Sequence, residues 1–430
     1  MINSNKILVI GDVMLDKYWH SSASALAEDA PVAAVTVDNT EYRAGGATNV
    51  ALNIKQLCDS NIEVAILAPI GKDADGNKLV SILNKLDIVA HWQISDHNQT
   101  ITKHRIITDN QQLVRVDFEQ KYQPIELNNE TKALIEQYKV IVISDYNKGT
   151  LDHAADIIQY ARSLNKIVLA DPKGHDFSKY KNATLLTPNL KEFSAIVGEV
   201  SKNNIHQKAL LLLQELELEH LLVTLSADGM TLYNKDGSYY HACSYADHVY
   251  DVTGAGDTVI ASLAVSLNND INKFEAIEYA SHAAALVVSQ LGTGFTTPQA
   301  VKQLMTIKAQ SIGKVENGNK IVHVTNSDQL RQLKELLLTP LVKIFNWDYK
   351  FNNILTVQNV QALQQIAEKS KIEKICVIIT NNVGSEKQSH SVEELAYMLS
   401  ILEVTDKVVY SSVGDISKTL ENYSQLQLQR

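Results

Sequence analysis

Apolar residues open the chain in short unbroken runs and recur at intervals filled by helical spacing. Residues 6–10 (KILVI) form one such run, closed by Gly11 and Asp12, the pattern of a parallel strand covered on both faces. Further strands are predicted over 63–68, 140–144, 167–170, 184–187 and 221–225, with helices over 46–57, 74–86, 151–164 and 206–219. Strands separated by helices predict an α/β fold built on a doubly wound sheet, with active residues at the carboxyl ends of the strands. Two segments break the rhythm: 31–42 and 91–116 alternate apolar and polar residues, as expected of antiparallel strands forming a lid. Helical patterns over 257–268 and 273–291 follow.

A chain of 430 residues is longer than one domain usually needs. The polar tract 311–320 (SIGKVENGNK) reads as a linker between a unit over 1–310 and a smaller α/β unit over 321–430, the latter with a strand near 374–379 and a helix near 391–402. Hydrophobic residues make up 45% and the net charge is −10, which argues against a general nucleic-acid or anionic-membrane surface. Cys58, Cys243 and Cys376 show no paired spacing, no apolar stretch reaches the ~18–20 residues of a membrane span, and the chain starts without a signal-peptide pattern, so a reducing cytoplasm is expected. The histidines show no H-x-x-x-H spacing for zinc. His282 reads as packed in an apolar helix, and Trp19 and Trp92 as lid packing.

The strongest chemical feature is residues 251–257 (DVTGAGD) ahead of an apolar helix. Gly254 and Gly256 permit a tight turn whose backbone N–H groups, with Ala255, face an anion at the positive end of the helix. Asp257 on that turn can take a proton from an attacking hydroxyl while the N–H groups hold phosphoryl charge. A plain glycine turn with a helix cap is the competing reading. Residues 45–51 (GGATNVA) also open an apolar helix; Gly45 and Gly46 let backbone approach a ligand, and Asn49 can both donate to and accept from a polyol.

Together, 45–51 and 251–257 resemble the two signature stretches of the ribokinase (PfkB) carbohydrate kinases, in the same order and at a similar separation. The resemblance implies ATP and Mg²⁺ as co-substrate and metal. It makes Asp16 a sugar-binding aspartate, and it matches residues 187–192 (TPNLKE) to an Asn-x-x-Glu element in which Asn189 and Glu192 serve ATP and, through water, the metal. Residues 224–229 (TLSADG) resemble the nucleotide-cradling turn, with Thr224, Ser226 and Gly229 in place, although Ser226 stands where glycine is common. The runs 11–19 (GDVMLDKYW), 144–149 (SDYNKG) and 171–174 (DPKG), which contain Asp12, Asp145, Lys148 and Lys173, are similar to heptose-7-phosphate kinases. These are the kinase halves of bifunctional enzymes that make ADP-heptose for lipopolysaccharide.

Lys103 and Arg105 lie two apart on an expected lid strand and so share a face, while Lys148 and Lys173 follow strand ends. Such residues could hold a sugar phosphate, Arg105 in bidentate fashion, although Lys103 reads as a solvated surface lysine and Arg105 equally as half of a surface salt bridge. In the bifunctional enzymes the second domain carries an H-x-G-H element after its first strand. Here no histidine occurs between His323 and His390, so the second unit resembles a degenerate nucleotidyltransferase fold without its catalytic pair. The expected activity is phosphorylation of the C1 hydroxyl of a heptose 7-phosphate. The same chemistry on another sugar or nucleoside, retained adenylyl transfer, and a non-catalytic assembly module are the alternatives. The resemblance leaves a homodimer through the lid strands open.

Overall fold

In the computed structural model, residues 5–306 are described apart from 22–23, 28–30, 59–60, 109–110, 202, 247 and 291–293; for 24–26 and beyond 306 only the backbone of certain elements is described. The chain divides into two compact units, Met1–Lys302 and Gln303–Arg430. The division falls within a helix, α9 (Pro298–Gly313); the expected linker overlaps its end at 311–313, and 314–320 lie outside the described residues.

The first unit begins with β1 (Lys6–Gly11), β2 (Val13–Ser21), β3 (Ser24–Leu26), β4 (Ala33–Val35), β5 (Asn39–Gly46), α1 (Ala47–Leu57), β6 (Glu63–Gly71), α2 (Ala74–Asn84), β7 (Val89–Ser95), β8 (Thr102–Thr108) and β9 (Gln111–Phe118). It continues through α3 (Asn129–Glu136), β10 (Val140–Ser144), α4 (Ala154–Ser163), β11 (Ile167–Asp171), β12 (Leu185–Leu186), α5 (Leu190–Val197), α6 (Ile205–Glu215), β13 (His220–Thr224), β14 (Met230–Asn234), β15 (Tyr239–Ala242), α7 (Ala255–Asn268) and α8 (Lys273–Val288).

Among the described residues the main sheet has nine strands in the order β15-β14-β13-β12-β11-β10-β1-β6-β7. From β13 to β7 neighbours run parallel, and β14 and β15 complete one edge antiparallel. The apolar run of β1 explains its central place: Ile7, Leu8, Val9 and Ile10 are all fully buried. Leu8 and Ile10 pack with Leu134 of α3, Ile157 of α4, Phe193 of α5 and Leu212 of α6. On the other face α1 and α7 pack against β1, with α7 also against β10 and β11. Residues Thr258 to Ser266 of α7 are buried all round, as expected of a helix sandwiched between the sheet, α1 and α8.

The lid is a separate sheet in the order β5-β2-β8-β9. Two expectations need correction. The segment 91–116 does not lie wholly in the lid, because β7 adds to the main sheet in parallel with β6 and places Trp92 opposite Ala68; Trp92 therefore belongs to the sheet edge. The lid is also not purely antiparallel, since β2 and β8 run parallel with Asp16 opposite Lys103. The cause is connectivity: β8 returns to the lid after a crossover through α1, β6, α2 and β7 instead of through a hairpin. Trp19 does pack within the lid, edge-on to His104 at 4.7 Å.

The second unit contains β16 (Ile321–Val324), β17 (Val342–Asp348), β18 (Lys374–Thr380), β19 (Lys407–Ser411) and β20 (Gln425–Gln427). They form a sheet in the order β16-β19-β18-β17-β20 with every pair parallel. The helix expected at 391–402 lies outside the described residues. No helix among the described residues is long and apolar enough to cross a membrane.

Candidate active site

Asp257 stands in the first turn of α7, whose N-terminus is made by Gly254 in the left-handed region at φ 82°. A side chain there would be strained, so glycine sets the turn. The Ala255 N–H donates to the Val252 carbonyl at 3.2 Å, whereas those of Gly254 and Gly256 meet no acceptor among the described residues. A Cβ added at Gly256 would meet nothing within 4 Å, so the turn offers open space lined by unpaired N–H groups at the positive end of a helix, a fit for phosphate.

The Asp257 carboxylate is held from two sides. Asn49 Nδ2 donates to Oδ2 at 2.6 Å and the Tyr146 hydroxyl donates to Oδ1 at 2.8 Å. Asn49 is itself tied back: Asn53 Nδ2 donates to its carbonyl at 2.9 Å, and Thr258 Oγ1 donates to Asn53 Oδ1 at 3.1 Å. Burial pushes the Asp257 carboxyl up to about 6, with a smaller push from Asp16, while the two hydrogen bonds pull it down. A carboxylate titrating near 6 can accept a proton at neutral pH.

On the lid side, Asp16 is nearly buried and pairs with Arg105 at 3.5 Å. Burial raises its carboxyl above the ordinary range, and Arg105 and Lys103 oppose that shift. Gly45 makes room for it, since a Cβ there would lie 2.5 Å from Asp16 Oδ2; at Gly46, φ is 61° and a Cβ would lie 2.4 Å from the Asp12 carbonyl oxygen. Arg105 also donates to Gln112 at 3.0 Å. Lys103 is not a solvated lysine: it bridges Asp117 at 3.0 Å and Glu119 at 2.7 Å, with its side chain 16% exposed. Lys148 pairs with the same Glu119. The two lysines thus converge on one carboxylate.

Asp12 closes β1 onto the turn after β10. Its Oδ2 accepts from the N–H groups of Tyr146 at 2.8 Å and Lys148 at 3.0 Å. Desolvation raises its carboxyl, and Asp145 adds to the push. Asp145 accepts from the Asn147 N–H at 2.6 Å, an Asx turn that lets Asn147 take φ 58°. Asp145 also pairs with Lys179 at 2.5 Å and accepts from Tyr180 at 2.7 Å. These contacts make Asp145 a brace for the turn; it touches none of the lid residues through them.

The residues expected to serve the nucleotide form a second group. Asn189 caps α5, accepting from the Glu192 N–H at 2.9 Å while Glu192 accepts from the Asn189 N–H at 3.0 Å, a reciprocal capping box. Glu192 also binds Lys173 at 2.6 Å. Asn189 bridges to Thr224 at the end of β13. Ser226 adopts φ 57° and Gly229 φ 85°, which explains why a glycine would suit position 226. His282 is buried in α8, hydrogen-bonded to the Glu278 carbonyl at 2.8 Å and stacked on Tyr245 at 3.7 Å.

Tyr146 and Asp171 were not singled out in the sequence, although both lie inside runs read from it. Asp171, at the end of β11, is pushed well above the usual carboxylate range by desolvation and by Asp257 and Glu192. The signal for Tyr146 was its place two residues beyond a buried strand end, which is where such folds put active side chains.

Comparison with known proteins agrees with this geometry. Residues 4–300 match the pfkB family carbohydrate kinase description. The chain is 44% identical over 295 residues to Bifunctional protein HldE of Histophilus somni (strain 129Pt), covering 68% of this chain and 62% of that protein. It is 43% identical over 292 residues to Bifunctional protein HldE of Haemophilus influenzae (strain PittEE), covering 67% and 61%. It thus spans about three fifths of the length of these relatives. In fold it is similar to Thermotoga maritima ribokinase (TM-score 0.57, 20% identity, 70% of this chain and 99% of that one). It is also similar to Escherichia coli phosphofructokinase-2 in complex with potassium (TM-score 0.60, 17% identity, 70% and 98%). With the family match spanning most of the first unit and the Asp257 turn intact, the chain belongs to the pfkB family of carbohydrate kinases.

Proposed function

We propose that the first unit transfers the γ-phosphoryl group of ATP to the C1 hydroxyl of D-glycero-D-manno-heptose 7-phosphate, giving the 1,7-bisphosphate for ADP-heptose and lipopolysaccharide core synthesis. The observation that carries this reading is Asp257, buried and clamped by Asn49 and Tyr146 beside the N–H groups of Gly254 and Gly256, which meet no acceptor among the described residues. Asp257 takes the hydroxyl proton as the sugar oxygen bonds to the γ-phosphorus and the β–γ bridging bond breaks, releasing ADP. The N–H groups hold the charge that develops on the transferred group. Asp16, Gly45, Gly46 and Asn49 hold the sugar, with Asp12 and Asp145 shaping the turn beside it. Asn189, Thr224, Ser226 and Gly229 serve the nucleotide.

No group of three or more His, Cys, Asp or Glu among the described residues is placed to hold a metal ion. Mg²⁺ would be carried on the ATP phosphates, with Glu192 as an outer partner through water, because Mg²⁺ keeps several waters and few protein ligands. It would neutralise charge on the phosphates. The sugar phosphate falls to Arg105, Lys103 and Lys148, each engaged by a carboxylate that an incoming phosphate can replace, with Lys173 nearer the nucleotide through Glu192.

The 342–354 segment has no histidine where the H-x-G-H element is expected, so we infer that the second unit has lost adenylyl transfer. Domains over 1–310 and 321–430, a cytoplasmic location and pairing of lid strands between copies complete this reading; β9 shows Leu113, Val116 and Phe118 exposed, which supports the pairing. The test is a panel of sugars and sugar phosphates with Mg-ATP. ADP release confined to heptose 7-phosphate supports the assignment, and faster turnover with an unphosphorylated sugar or a nucleoside overturns it.

A further inference from the structure

We propose that Tyr146 is a positioning residue for phosphoryl transfer: held on a turn anchored by Asp12, its hydroxyl keeps the Asp257 carboxylate fixed and in its proton-accepting form, opposite Asn49. The inference rests on the kinase reading above and goes beyond it. A buried base faces two difficulties, since burial favours its neutral form and a free carboxylate can rotate away from the hydroxyl it must serve.

The geometry answers both. Tyr146 and Asn49 each donate to a different oxygen of Asp257, at 2.8 and 2.6 Å. Two donors on opposite oxygens fix the plane of the carboxylate, and each oxygen keeps a lone pair for the substrate. The tyrosine cannot act as a competing acid, because burial and the charges of Asp257 and Asp171 push its phenol well above its ordinary range. It stays a donor. Its backbone is fixed independently of Asp257: the Tyr146 N–H reaches Asp12, the Asn147 N–H reaches Asp145, and Gly149 takes φ 94° where a Cβ would lie 2.3 Å from the Tyr122 carbonyl oxygen.

The charges around the base make this donor necessary. Asp16 from β2 pushes the Asp257 carboxyl up, and Arg105 and Lys103 answer Asp16; Asp171 from β11, itself raised by burial and by Asp257, is answered by Lys173. No cation is paired with Asp257 itself among the described residues. Its ionised form therefore rests on Asn49 and Tyr146.

The experiment compares the full chain with Tyr146→Phe, which removes only the hydroxyl. Profiles of kcat/KM against pH are measured with ATP and heptose 7-phosphate. Both proteins share the titrations of the substrates, so displacement between the curves belongs to the protein. The acidic limb is expected to move up by about one pH unit, with most activity recovered by pH 9. A uniform loss with the limb unmoved overturns the proposal. Tyr146→3-fluorotyrosine keeps the shape, makes a stronger donor, and should move the limb the other way.

A second readout needs no substrate. Losing a donor to the ionised form raises the native carboxyl further, so the stability deficit of Tyr146→Phe should be larger at pH 8 than at pH 5. In an Asp257→Asn background that pH dependence should vanish. A deficit independent of pH in both backgrounds overturns the proposal. If the parent fails to turn over the heptose while the stability signature appears, the substrate assignment falls and the role of Tyr146 stands.

Discussion

Replacing Asp257 by Asn separates what this carboxylate does for catalysis from what it does to the fold. The carboxyl is raised from 3.8 to about 6, chiefly by burial. Two pH units correspond to roughly 3 kcal/mol at 1.36 kcal/mol each. The sign follows from proton counting. Between pH 3.8 and about 6 the native state holds a proton that the unfolded chain has released, so stability falls as pH rises through that window and stays lower above it. Asparagine cannot ionise and escapes this loss. It also offers one acceptor oxygen to the two donors, Asn49 and Tyr146, so one hydrogen bond goes, worth about 1–2 kcal/mol. The balance predicts a variant about 1–2 kcal/mol more stable than the parent at pH 8 and no more stable at pH 4.5. Turnover, by contrast, should drop by about 10²–10⁴-fold. Thermal unfolding of both proteins at several pH values, followed with the signal of the first unit, gives the stability arm. A difference in Tm that is constant across pH 4.5–8, or that shrinks as pH rises, refutes the desolvation argument. Turnover within about tenfold of the parent refutes the general base.

Other expectations can be checked with the same assays. Arg105→Ala should raise KM by about tenfold or more for a sugar phosphate and much less for its unphosphorylated analogue, since charge-assisted contacts contribute about 1.5–3 kcal/mol; equal effects return Arg105 to holding Asp16 alone. Gly45→Ala should raise the sugar KM at least about tenfold while the ATP KM stays put, because the new Cβ would fall 2.5 Å from Asp16 Oδ2; an unchanged sugar KM removes Asp16 from the sugar site. The full chain with heptose 1-phosphate, ATP and Mg²⁺ should release no pyrophosphate, because losing even one donor to a transferring phosphate costs ~10²–10³-fold. Product that disappears on truncation after Lys320 would show that the second unit is active.

The legible parts of this chain were those where one local cause suffices. A strand buried on both faces must be apolar throughout, so β1, β6 and β10 could be read directly, and a glycine turn before an apolar helix announced α7. What escaped depended on long-range pairing. The alternation in 89–95 is the same whether the strand joins the lid or the main sheet, and only the parallel register with β6 decides that Trp92 faces Ala68. Lys103 looked solvated because its partners Asp117 and Glu119 sit on and just beyond the neighbouring strand β9. Asn49 was read as a sugar ligand, and its hydrogen bond to a carboxylate 208 positions away had no local signal. The Asn189–Glu192 spacing carries two explanations at once, since the capping box alone accounts for both residues.

That double employment bears on how an acidic chain can take an anionic substrate. The net charge is −10, but the basic residues of the cleft are not left bare. Arg105 lies on Asp16, Lys103 and Lys148 share Glu119, and Lys173 lies on Glu192. Under the proposed function an incoming phosphate would exchange carboxylate partners instead of filling an empty cationic pocket. Its net gain is the difference between two charge-assisted contacts, which is small for one and adds up only when several exchange together. A monoanionic or neutral sugar can displace few of these carboxylates. A substrate bearing a phosphate far from its reactive hydroxyl can release Glu119 at the lid while its hydroxyl reaches Asp257. On the proposed function, selectivity for such a molecule would arise from the ion pairs that others leave unbroken.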